Sequence, residues 1–108
     1  MRALVRIPID EVAIDSTGRL LVRPRIAATE DFEQIYRTAS GVRWESASRS
    51  LVPYEVMDKA PPWWFRQIID AVQSEYRQLL ELQPDTIWTN VSAETRRDIQ
   101  SGNDGHDV

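Results

Sequence analysis

A chain of 108 residues with 42% hydrophobic and 28% charged side chains is sized for one folded domain, and its few glycines and prolines exclude a linker or low-complexity protein. It has no cysteine, so disulfide frameworks, thiolate metal sites and cysteine nucleophiles are excluded together. The net charge of −4 conceals a gradient: residues 1–28 carry five arginines against three acids, while residues 29–108 carry eight bases against fourteen acids.

The N-terminal run is interrupted by Arg6 and Pro8 and is too short for a signal-peptide core, and no segment approaches the roughly 20 apolar residues of a membrane span. A cytoplasmic protein without membrane association is therefore expected. Residues 3–9 alternate in polarity, the period of a half-buried strand that Pro8 ends or marks as an edge. A second short strand, Val12 to Ile14, leads into the turn Asp15-Ser16-Thr17-Gly18 and a return strand from Arg19 to about Arg25. On the return strand Leu20, Val22, Pro24 and Ile26 share one face, and Arg19, Leu21, Arg23 and Arg25 the other.

Thr29 then precedes Glu30, Asp31 and Glu33, a capping hydroxyl with carboxylates where a helix dipole favours them. Phe32, Ile35, Tyr36 and Ala39 follow at helical spacing, so a short amphipathic helix is predicted, stopped by Gly41 as a left-handed cap. Val42-Arg43-Trp44 and Ser50-Leu51-Val52 form the arms of a second hairpin, closed by Pro53, with Tyr54 to Lys59 as a connecting loop. Pro61-Pro62 opens the longest helical pattern, from Pro62 to about Leu80, whose apolar positions are Phe65, Ile68, Ile69, Val72, Tyr76, Leu79 and Leu80. Thr86 to Thr89 reads as a last short strand, and Ser92 caps a weak helix through about Gln100. Residues 1–91 are expected to form a single α+β domain, and residues 92–108 a weak helix and a mobile polar tail.

Little in the chain nominates catalysis. The single histidine, His106, falls in the polar tail, where a base or ligand would lack a fixed position. The four glycines are scattered, so no phosphate loop is present. Glu30 and Asp31 are explained by the helix dipole, and Asp70, Glu75 and Glu81 lie on or beside the polar side of the long helix. No catalytic residue, metal ligand or cofactor is assigned, and a small enzyme with carboxylate chemistry is the third of three readings.

The second reading uses the strand face bearing Arg19, Arg23 and Arg25, which would offer phosphates or an acidic partner a basic surface. The competing reading is a solvated outer face that resists edge-to-edge pairing. No aromatic residue interleaves with these arginines for base stacking, and the chain is acidic overall, which disfavours nucleic acid as a partner.

The leading reading rests on Trp63 and Trp64. At about 100° per residue the apolar stripe of the long helix centres near Phe65, Val72 and Tyr76. Trp64 then falls at its border and Trp63 almost opposite, beside Arg66, Gln67 and Asp70. Either a neighbouring loop around Pro53 and Tyr54 covers both rings, or Trp63 is an exposed indole with Arg66 placed for a cation–π contact, as at interface hot spots. The second alternative makes Trp63, Trp64, Arg66 and Tyr54 a binding surface for a protein partner or for a second copy in a homodimer. Trp44 and Trp88, each on a predicted short strand, are assigned to the core, with lining of the same concavity as the alternative for either.

The strings Tyr36-Arg37-Thr38-Ala39, Gly41-Val42-Arg43-Trp44, Trp64-Phe65-Arg66-Gln67-Ile68-Ile69, Glu75-Tyr76 and Thr86-Ile87-Trp88-Thr89-Asn90-Val91 resemble those of small uncharacterised bacterial proteins found among integron gene cassettes. The resemblance covers about residues 1–91 and implies a bacterial cytoplasmic protein; it carries over no catalytic residue. The expected architecture is α+β in two layers: a small, mostly antiparallel sheet with the two main helices packed on one face.

Overall fold

The computed structural model describes residues 4–54 and 59–103. In chain order its elements are β1 (Val5–Ile14), β2 (Leu20–Pro24), a 3₁₀ helix (Glu33–Thr38), β3 (Val42–Glu45), β4 (Ser50–Pro53), α1 (Pro61–Tyr76), β5 (Gln78–Glu81), β6 (Ile87–Thr89) and α2 (Ala93–Asn103). The α+β class holds: a mixed six-stranded sheet in the order β3-β4-β2-β1-β5, with β6 also paired to β1.

β1 organises the sheet. One edge takes β2 antiparallel; the other takes two parallel partners in succession, β5 along residues 5–8 and β6 along residues 11–13. The two short strands expected at residues 3–9 and at Val12 to Ile14 are one ten-residue strand. Proline cannot donate to a ladder. Here its carbonyl accepts from the Arg25 amide at 2.8 Å, and a register shift between Ile9 and Glu11 absorbs the irregularity.

The first turn forms as read. The Asp15 carboxylate accepts from the amides of Thr17 and Arg19, both at 2.9 Å, and from the Thr17 hydroxyl at 2.6 Å. These bonds, the Thr17 hydroxyl first, hold the Asp15 carboxyl down at about 2. Gly18 takes the left-handed φ of +87° that the turn requires.

The expected helix from Phe32 to Ala39 is a 3₁₀ helix with Phe32, not Thr29, at its N-cap. Thr29 lies in a turn farther back, and Asp31 accepts from the Glu33 amide at 3.1 Å instead. Ala39, rather than Gly41, takes the left-handed cap position, with Gly41 also at positive φ. Phe32 packs edge-on between Trp44 and Tyr76, at centroid distances of 5.7 and 4.8 Å.

In α1 the prolines occupy the first two positions and Ala60 is extended, as a residue before proline must be. The helix buries Trp64, Phe65, Ile68, Ile69, Ala71 and Val72 against the sheet's Ile9, Val12, Leu20, Val22 and Leu51. It ends at Tyr76, four residues earlier than predicted, where Arg77 turns into the left-handed region and donates to the Gln73 carbonyl at 3.0 Å. Leu79 and Leu80 continue the apolar pattern as part of β5. Ser92 accepts from the Thr95 amide at 3.1 Å at the start of α2, which packs on α1 and leaves Ile99 only 1% exposed. His106 lies outside the described residues.

Candidate functional site: the outward face of α1

Helical geometry leaves Trp63, Arg66, Asp70, Gln73 and Ser74 on the face of α1 turned away from the core. Trp63 is 45% exposed and Trp64 only 7%. The two rings stand perpendicular with centroids 5.0 Å apart, so the buried indole braces the exposed one. Trp64 in turn lies against the backbone of Gly41: a Cβ added there would sit 3.3 Å from the indole Cη2. The Trp64 Nε1–H is buried without an acceptor among the described residues. Gln67 reinforces the same junction by donating to the Ser40 carbonyl at 2.9 Å.

The cation over the Trp63 ring is Lys59, with Nζ 5.7 Å from the centroid, and not Arg66 as the helical spacing suggested. Lys59 sits on the segment that leads into the helix, a placement that a helical wheel does not represent. Arg66 instead lines a depression of about 480 Å³ together with Pro62, Trp63, Gln67 and Asp70. A second, also about 480 Å³, follows along the helix, lined by Leu4, Asp70, Gln73, Ser74 and Arg77. Tyr54 is 63% exposed at the end of β4, and its amide donates to the Gly41 carbonyl. Its ring lines neither depression.

The arginine strand face is arranged differently. Arg19 bridges Asp15 at 3.1 Å and Glu45 at 3.0 Å, Arg23 meets Glu11 at 2.9 Å, and Arg25 joins Asp10 at 2.6 Å to Asp85 at 3.2 Å. Ser48, with Arg19 and Arg43 nearby, lowers the Glu45 carboxyl below its ordinary range, and the two aspartates hold the Arg25 proton more tightly. The positive charge is therefore matched within the chain. Trp44 is buried as expected, whereas Trp88 is half-buried under the Arg96 guanidinium at 4.9 Å.

Among the described residues no cluster of three or more histidine and carboxylate side chains is placed to hold a metal ion, and no helix is long and apolar enough to cross a membrane.

Residues 7–86 match the family model of the integron cassette protein Hfx_Cass5. Among solved structures, the chain is similar to the integron cassette protein Hfx_Cass5 from the mobile metagenome of the North West Arm sewage outfall, with 30% identity over 97% of this chain and 99% of that one and a TM-score of 0.41. No curated protein matches significantly.

Proposed function

The chain belongs to the Hfx_Cass5 family of integron cassette proteins, and from that premise we propose that it is a small protein-binding module whose contact surface is the outward face of α1 around Trp63. The observation that carries this reading is an indole 45% exposed on the first turn of a helix anchored in the core. Trp64 braces it, Lys59 covers part of its face, and a depression of about 480 Å³ opens at its foot. A rigid, half-covered tryptophan loses little side-chain entropy when a partner closes over it, which is why such residues dominate interface energies. Arg66 and Asp70 add a charge of each sign beside it, suited to a polar rim around an aromatic anchor.

Short peptides selected from a random library on the purified chain test this reading. They are expected to bind the parent and to lose at least about tenfold in affinity for Trp63→Ala, roughly 1.4 kcal/mol. Peptides that hold Trp63→Ala as tightly as the parent would overturn it.

A further inference from the structure

The outward face of α1 is self-complementary. Arg66 and Asp70 stand one turn apart on it, and neither side chain has an ion pair or hydrogen bond with another described residue. Arginine on the N-terminal side of an acid is the poorer orientation for an i,i+4 pair. Among the described residues both charges are thus unmatched; Arg66 lines one depression of about 480 Å³, and Asp70 lines both that one and a second of about 480 Å³ farther along the helix. At the N-terminal end of this face an aromatic ring projects; at the C-terminal end there is a hollow whose described lining, Leu4, Asp70, Gln73, Ser74 and Arg77, includes no aromatic ring.

We infer that the partner of this face is a second copy of the same chain, docked with the two α1 helices antiparallel so that Arg66 of each copy meets Asp70 of the other. This rests on the reading of the α1 face as a binding surface. A twofold axis at the level of position 68 exchanges positions 66 and 70 and carries position 63 to the level of position 73. Trp63 of each copy then comes down beside Gln73 and Ser74 of the other, at the mouth of the second depression. Every contact occurs twice, as an isologous interface requires. Antiparallel helices also set opposite dipole ends side by side. One face of a 16-residue helix is smaller than the roughly 800 Å² per partner of a standard interface, so the dimer is weak and concentration-dependent.

Sedimentation of the full chain from about 10 μM to about 1 mM tests this. The parent is expected to pass from monomer to dimer across that range. Arg66→Asp or Asp70→Arg alone places like charges opposite one another and should weaken dimerisation by at least about tenfold. The two substitutions together recreate both pairs with the signs exchanged and should restore it to within about threefold. Circular dichroism confirms that each variant is folded, since all the changes are on an exposed face. A parent that stays monomeric, single reversals that dimerise as the parent does, or a double variant no better than the singles overturns the inference. If the parent is monomeric yet still binds selected peptides through Trp63, the second copy is excluded and the binding surface stands. If it does neither, both readings fall.

Discussion

Two of the outward surfaces that carry arginine differ in what the fold has already done with the charge. On β2 and immediately beside its two ends, the guanidinium groups of Arg23, Arg19 and Arg25 each meet at least one carboxylate of a neighbouring strand or turn. On α1 the side chains of Arg66 and Asp70 have no such partner among the described residues, and an exposed indole stands beside them. A count of arginines marks the first surface as the basic one, yet its field is largely cancelled at a distance of one side chain. Surface pairs of this kind are each worth about 0–1 kcal/mol. Their larger effect is to close a surface to outside anions, and the α1 face has not been closed in this way.

The contrast can be broken most severely from underneath. Ile68 is fully buried between α1 and the sheet, so Ile68→Ala should cost about 2–5 kcal/mol in a denaturant titration and loosen the platform of the aromatic face. Gly41→Ala places a methyl group 3.3 Å from the Trp64 ring at a φ of +82° and is expected to cost about 1–2 kcal/mol, while displacing the ring that braces Trp63. Its signature is a change in tryptophan fluorescence of the folded state.

On the arginine side, Asp15→Asn should cost about 1 kcal/mol at neutral pH. Asp15 has a folded value of about 2 against an ordinary 3.8, so its contribution is complete above about pH 4 and is lost as the pH falls toward 2. The stability gap between parent and variant should therefore narrow over that interval; a gap that stays constant would show that the turn does not depend on the ionised carboxylate. The smallest expected effect belongs to Trp63→Ala. Removal of a half-exposed ring and its contact with Lys59 should change stability by less than about 1 kcal/mol. A loss of several kcal/mol would make Trp63 part of the core and erase the difference between the two surfaces.

Local rules accounted for much of this fold. The Asp15–Gly18 turn, the β3–β4 hairpin, the prolines opening α1 and the placing of Trp64 at the border of the apolar stripe with Trp63 across the helix from it all follow from signals a few residues long, whereas the exposure of Trp63 depends on what packs around the helix start. The end of α1 does not, because Arg77 takes a left-handed cap without a glycine to announce it, and Leu79 and Leu80 suit a helix stripe and a short strand equally. Parallel pairing of β1 with β5 and β6 joins residues more than seventy positions apart, and no local pattern specifies it. Thr86 shows the same limit: its hydroxyl donates to the Ile9 carbonyl at 2.7 Å and accepts from the Gln83 amide at 2.8 Å, a buried tie that a polar residue just before a short strand does not advertise. At the candidate site the helical wheel placed Trp63, Arg66 and Asp70 together. It could not place Lys59, which precedes the helix, or Leu4, which arrives from the other end of the chain.

The edge of β1 that receives both β5 and β6 also sets an order of events in time. Val5 waits for Gln78, and Glu11 for Ile87. While a ribosome is still making the middle of the chain, β1 and β2 can close as a hairpin, but ten residues of strand keep one row of amides and carbonyls unanswered. Long-range parallel pairing is slow to form, and an open edge is a template for the wrong neighbour. Synthesis of β5 and β6 is therefore what ends the vulnerable period of β1, and a product stalled or truncated before them would be prone to associate through that edge.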